Sequence, residues 1–96
     1  MVKVEWSLSA IEDIEDHIGY IEKDSVQAAQ NWAIQIFENE DLIAENPYIG
    51  RVIPEENLEH KREMILGNFR LMYEILNNSN VVILKVMRSK QLYSNI

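Results

Sequence analysis

The chain opens on strict alternation. Val2, Val4 and Trp6 are apolar while Lys3 and Glu5 between them are charged, the two-residue period of a half-buried strand. From Ala10 the period lengthens. Ala10, Ile11, Ile14, Ile18 and Ile21 return at three- and four-residue steps, which draws one apolar stripe along a helix. Glu12, Asp13, Glu15, Asp16 and Glu22 make its other side acidic. Ser9 with Glu12 fits a capping box, in which the two side chains satisfy backbone donors that the first turn leaves free. After a break near Lys23, Asp24 or Ser25 can cap a second helix. Its stripe is Ala29, Trp32, Ala33, Ile36, Phe37 and Ile43, with Glu40 as a polar gap. Asn46-Pro47 ends it, because proline pushes the preceding residue out of helical geometry. So short a link makes the two helices an antiparallel hairpin.

Beyond Pro47 the pattern changes. Residues 47–56, with Gly50-Arg51 and Pro54-Glu55, read as an irregular loop. Arg62 to Leu66 and Phe69 to Leu76 are strand-like runs joined at Gly67-Asn68, a two-residue hairpin link. After the polar turn Asn77 to Asn80, Val81 to Met87 is β-branched and nearly all apolar, as a central strand covered on both faces should be. The predicted order is β-α-α-β-β-β, the last three strands forming a meander. Helices segregated against an antiparallel sheet make the fold class α+β, and residues 1–96 form a single domain.

Composition narrows the classes without choosing among them. A chain of 96 residues with 47% hydrophobic and 26% charged positions has an ordinary globular make-up, enough to fold alone with little surplus. No apolar run approaches the roughly 20 residues that span a bilayer, so no membrane association is expected. The opening MVKVEWS lacks the apolar core of a secretion signal. There is no cysteine, which excludes disulfides and thiolate metal sites. A cytoplasmic location fits all of this. The net charge of −7 argues against nucleic acid as a partner, but the distribution qualifies it. Residues 1–48 hold 11 acidic and 2 basic side chains, a balance of −9; residues 49–96 hold 5 acidic and 7 basic, a balance of +2. Any anionic ligand should meet the second half.

Candidate chemistry follows that asymmetry. In the strand 69–76, Phe69, Leu71, Tyr73 and Ile75 share one face, and Arg70, Met72, Glu74 and Leu76 the other. If the first set packs under the helices, Arg70 stands on the open face. Lys61 and Arg62 lie on the neighbouring strand, Arg51 in the loop before it, and Arg88 and Lys90 at the end of the last strand. Guanidinium forks match phosphate and carboxylate oxygens and stay charged at any working pH. These cations therefore form either an anion or acidic-partner site around Arg70, Arg62 and Arg88, or a solvated face whose arginines pair with Glu63 and Glu74. His17 and His60 read as surface histidines, and without a second ligand at helical spacing no metal or other cofactor is predicted. Trp32 and Phe37 belong to the core stripe. Tyr93, close to Arg88 and Lys90 in sequence, could stack or donate.

The series V-E-W-S, A-I-E-D-I-E-D-H-I-G-Y-I, A-A-Q-N-W-A, N-P-Y-I-G-R-V-I-P-E, K-R-E-M-I-L-G-N-F-R-L-M-Y-E-I and V-V-I-L-K-V-M-R-S-K resembles the RelE/ParE toxins of bacterial type II toxin–antitoxin modules, nearly end to end. The resemblance implies a helical hairpin on one face of a curved antiparallel sheet and a cognate antitoxin as partner. It implies two possible targets. RelE-like members cut messenger RNA on the ribosome with basic side chains and often a C-terminal tyrosine or histidine; ParE-like members are tied to DNA gyrase and are not known as nucleases. Arg70 falls at the arginine common to both branches. Lys61 and Arg62 fall near the strand that carries basic catalytic residues in RelE-like enzymes, and Arg88 and Tyr93 roughly where that branch keeps an arginine and a terminal aromatic. Two departures weaken the nuclease alternative: Glu63 puts an acid beside the cations, and Met87 stands where many relatives carry a histidine. Few of these groups titrate near neutrality, which general acid–base cleavage of RNA requires. The ParE-like, non-nuclease alternative is favoured over the ribosome-dependent endoribonuclease and over a non-toxic module that only binds a peptide. Oligomeric state stays open between a homodimer and a toxin–antitoxin heterotetramer.

Overall fold

The computed structural model describes residues 2–91 and Tyr93. Strand β1 (Val4–Trp6) leads into helix α1 (Leu8–Glu22) and helix α2 (Val26–Glu45). A single 3₁₀ turn over Pro47–Ile49 precedes β2 (Arg51–Val52), β3 (Lys61–Leu66), β4 (Phe69–Ile75) and β5 (Val81–Arg88). The sheet order is β1-β5-β4-β3-β2, with β1 parallel to β5 and every other neighbour antiparallel. The α+β class and the C-terminal meander agree with the periodicity. Two features lie outside it. The loop after Pro47 is not wholly irregular, because Arg51–Val52 adds a short edge strand to β3. The sheet is mixed rather than purely antiparallel, since the helical hairpin returns the chain so that β1 runs alongside β5.

The first helix starts at Ser7, two residues before the expected Ser9. Ser7 is already fixed by the sheet: its N–H donates to the Ile83 carbonyl at 2.9 Å and its hydroxyl to the Leu84 carbonyl at 3.0 Å. That hydroxyl also accepts from the Ala10 N–H at 3.1 Å, so one side chain joins strand and helix. In α2 the cap is Ser25, whose hydroxyl accepts from the Ala28 N–H at 3.0 Å. Asn46 closes that helix as expected, its own N–H bonded to the Leu42 carbonyl. Gly67, with φ +57, takes the first of the two linking positions between β3 and β4, where a tight hairpin needs positive φ.

The main core lies between helices and sheet. Ala10, Trp32, Ile36 and Ile43 from the helices meet Leu71, Tyr73, Ile75, Val81, Ile83 and Val86 from β4 and β5. Phe37 is not part of it. It is 56% exposed and lines a surface cleft with Trp6, Ile11 and Ile14. The gap left by Glu40 is used, because its carboxylate accepts from the Trp6 indole at 2.8 Å.

His17 is buried, contrary to the surface position its acidic neighbours suggest. The reason is the edge of β5. Strand β1 covers β5 only from Val81 to Ile83, so the outer edge beyond needs other partners. Helix α1 supplies them one turn apart: the Val86 N–H donates to the Asp13 carboxylate at 2.9 Å, and His17 Nε2–H donates to the Val86 carbonyl at 2.8 Å. The imidazole also meets Trp32 and Phe69 edge-on, with centroids 5.6 and 4.9 Å away. Its role is architectural.

Candidate functional site

The face of the sheet away from the helices is not open. Ile53, Met72 and Met87 form a second, smaller core there, with Tyr93 packed against it. The loop between β2 and β3 closes over this cluster, anchored by Ile53, whose carbonyl accepts from the Glu56 and Asn57 N–H groups. Arg70 lies on this face, as strand alternation requires. It does not stand in water, however: it is 8% exposed, covered by the loop and by Tyr93 rather than by the helices.

Each of the three nitrogens of the Arg70 guanidinium is engaged. Its Nε–H donates to Glu63 at 2.7 Å, and Glu63 is wholly buried. The other oxygen of Glu63 accepts from Arg51 Nε–H at 2.6 Å, so one buried carboxylate holds two arginines. The outer fork of Arg70 takes Glu55 bidentately at 2.6 and 2.9 Å. Beside this, Lys61 meets Glu56 at 3.1 Å. The Tyr93 hydroxyl donates to the second oxygen of Glu56, and its ring lies 5.8 Å from the Arg70 guanidinium carbon.

Strand register decides which candidate cations share the face. Arg51 pairs with Glu63, and Glu63 with Met72, so Arg51, Lys61, Glu63 and Arg70 project together. Arg62 opposes Tyr73 and projects the other way. It lies at the sheet edge over the Tyr48 ring, 5.0 Å to the centroid, and donates to the Gly50 carbonyl and to Glu59. Arg88 leaves the group for a different reason. Between Tyr73↔Ile83 and Met72↔Lys85 the register shifts by one residue, leaving Leu84 as a bulge. A one-residue shift reverses the facing of everything after it. Met87, not Val86, therefore lies beside Arg70, and Arg88 turns to the helix side, where it stacks on Tyr20 at 4.1 Å. Of the five candidates, Arg70, Lys61 and Tyr93 are together; Arg62 and Arg88 are elsewhere.

Sequence reasoning named Glu63 as a pairing partner but missed Glu55 and Glu56. The available signal was charge balance, since the second half carries acids in nearly the number of its sheet cations. The pairing favours the charged form of Glu55 and Glu56. The hydrogen bonds from Arg70 pull the Glu55 carboxyl down to about 2, and Tyr93 and Lys61 lower Glu56 as well. Burial first, and then the bond to Glu56, raises the Tyr93 phenol, which stays protonated as a donor. A carboxyl depressed in the folded state binds fewer protons there than when unfolded, so its contribution is present above the ordinary carboxylate range and fades as pH falls. Urea-unfolding free energy should thus be flat from neutrality to about pH 5 and fall steadily from there toward pH 2. The fall should be shallower in Glu55→Gln, and an identical pH profile in that variant would remove Glu55 as a cause.

As it stands, the face is a folded ion-pair network. Glu55 already occupies the outer fork of Arg70 that an incoming oxyanion would take. No three His, Asp or Glu side chains converge in a way that could hold a metal among the described residues, and no helix there is long and apolar enough to cross a membrane.

Comparison with known proteins gives this architecture a family. The structure is similar to the chromosomal ParDE toxin–antitoxin system from P. aeruginosa, at 18% identity over 92% of this chain and 96% of that chain, with a TM-score of 0.72. It is also similar to the toxin–antitoxin complex RelBE2 from Mycobacterium tuberculosis, at 22% identity over 91% and 96%, with a TM-score of 0.58. A mutant of the E. coli toxin RelE in complex with an antitoxin RelBc peptide matches at 13% identity over 94% and 85%, with a TM-score of 0.57. No curated protein sequence is significantly similar to the chain. At such identities the structures establish a shared fold and no more. The family is carried by the sequence profile of the ParE toxin of type II toxin–antitoxin (parDE) systems, which matches residues 4–93 from the first strand to Tyr93. Helical hairpin, meander and arginine strand thus fall within one continuous match, and the chain belongs to the ParE toxin family.

Proposed function

We propose that this toxin acts by binding a protein target, DNA gyrase, without cutting RNA, and that a cognate antitoxin neutralises it. The observation that carries the proposal is the state of the cations around Arg70. Arg70, Arg51 and Lys61 are already matched to Glu55, Glu63 and Glu56 within the fold. A ribosome-bound nuclease draws much of its affinity from phosphate contacts and their release of counterions. Here each such contact would first break an internal ion pair, on a chain of net charge −7. A nuclease also needs groups that exchange protons in the transition state. The Tyr93 hydroxyl is instead held protonated against Glu56. The match to the ParE family points the same way.

Purified protein added to gyrase and relaxed plasmid should block supercoiling or trap cleaved DNA, and adding the product of the neighbouring gene should reverse the effect. Supercoiling unaffected at large excess would overturn the gyrase target. New 5′ ends on translated messages after induction, lost in Arg70→Ala but kept in a folded control, would establish the ribosome-dependent nuclease instead.

A further inference from the structure

Arg88 and Lys90 are the two cations of residues 49–96 that no carboxylate meets among the described residues; Arg51, Lys61, Arg62, Arg70 and Lys85 all have one. Both line the same cleft, together with Tyr20 and Ile21 of α1, Asn68 of the β3–β4 turn and Phe69 of β4. Its volume is about 300 Å³, room for one large side chain. Among the described residues, no acidic one lines it. We propose that this cleft binds a segment of a partner protein that presents a bulky apolar side chain flanked by carboxylates.

Three observations support that chemistry. The floor is rigid, because the Phe69 ring is held at 5.0 Å by Trp32 and at 4.9 Å by His17, so little ordering is needed on binding. The wall is exposed and aromatic: Tyr20 is 55% exposed and already carries the Arg88 guanidinium on its face. Aromatic side chains with an arginine beside them are the usual anchors of protein interfaces. The rim offers donors to an anion and, among the described residues, no carboxylate. Arg88, Lys90 and the NH₂ group of the Asn68 side chain all line the cleft and can each donate to a carboxylate. Asn68 is itself fixed, since its carbonyl accepts from the Ser89 N–H at 2.7 Å. Charge complementarity selects the occupant. On a chain this acidic, two cations above an apolar floor are too few for a nucleic-acid backbone and sufficient for an acidic peptide. The bulge at Leu84 creates the site by turning Arg88 away from Arg70. The proposal is independent of which target the toxin takes.

The test is amide chemical-shift mapping on the full ¹⁵N-labelled chain. The probe is a blocked synthetic peptide with one tryptophan flanked on each side by two aspartates. Controls replace the aspartates with lysines, or the tryptophan with serine; an oligoribonucleotide and inorganic phosphate are added separately. The aspartate–tryptophan peptide should shift the amides of Tyr20, Ile21, Asn68, Phe69 and Arg88, and both control peptides should bind far more weakly. The double variant Arg88→Gln, Lys90→Gln should lower affinity about tenfold, and added salt should do likewise. Tyr20→Ala supplies an independent test of the apolar wall. All three residues border an open cleft, and an unchanged spectrum elsewhere verifies the fold. The proposal is overturned if the lysine peptide binds equally, if no shift appears at millimolar peptide, or if the oligoribonucleotide or phosphate occupies the cleft more tightly.

Discussion

Replacing Gly50 with alanine should lower unfolding free energy by about 3 kcal/mol, which for a domain of this size corresponds to a fall in Tm of roughly 12–24 °C. Conformation is not the reason, since Gly50 takes an ordinary extended backbone with φ −74. Space is. A Cβ at this position would lie 2.6 Å from the Tyr73 hydroxyl and 2.7 Å from the Glu63 carbonyl oxygen. The tyrosine cannot simply rotate away. It is fully buried in the main core, its hydroxyl accepts from the Gly50 N–H at 2.9 Å, and it donates to the Pro47 carbonyl at 2.6 Å. The same phenol thus pins both ends of the turn that delivers β2 to the sheet edge. Tyr73→Phe makes room but strands those two backbone groups, at about 1–3 kcal/mol. The double variant should be less damaging than the sum of the singles, because they share one contact. It should not approach the parent, because the Glu63 carbonyl is backbone and still blocks the methyl. Thermal unfolding of the three variants checks this, and a Gly50→Ala protein melting within a few degrees of the parent would show that the approach is not rigid.

What the sequence disclosed and what it hid divide along physical lines. Helix stripes and strand alternation are local, and they placed both helices and the three long strands close to their observed bounds. The caps were locally ambiguous: Ser7 and Ser9 are both competent, and only the bonds from Ser7 to Ile83 and Leu84 choose between them. Strand β2 has two residues, too few to display a period at all. His17 looked like a surface group because its sequence neighbours are acids; its burial depends on an unpaired strand edge contributed by residues 69 positions away. Around the candidate site, alternation placed Arg70 on the correct face, and the two-residue hairpin brought Glu63 near it. The same alternation, continued through β5, would have set Arg88 beside Arg70. A single bulged residue reverses it, and bulges leave little trace in an apolar run such as Val81 to Met87. The family resemblance identified the chain's class without resolving that geometry.

The Arg70–Glu63 pair should show the second large effect, and it bears on how any loss of toxicity is interpreted. Arg70→Ala removes the inner partner of a carboxylate with no exposed surface, leaving Glu63 to a single half-exposed arginine, Arg51. Breaking a buried pair from one side costs about 3–5 kcal/mol, because the remaining charge keeps its desolvation penalty and loses most of its compensation. Glu63→Leu should cost a similar amount by stranding Arg70 against Glu55 alone. Replacing both, as Arg70→Met with Glu63→Leu, removes both charges of this pair together and should recover most of the stability lost by either single change. The site suits that exchange, since Ile53, Met72 and Met87 already pack beside it as a small apolar core. Urea unfolding of the four proteins gives the coupling directly; additive losses would mean that the two side chains do not depend on each other. With the fold restored, the paired variant separates two roles for the arginine. If it still blocks supercoiling, Arg70 serves the architecture and the target is met elsewhere on the surface. If it is folded and inactive, the outer fork of Arg70, now held by Glu55, is where the target's own acid must enter.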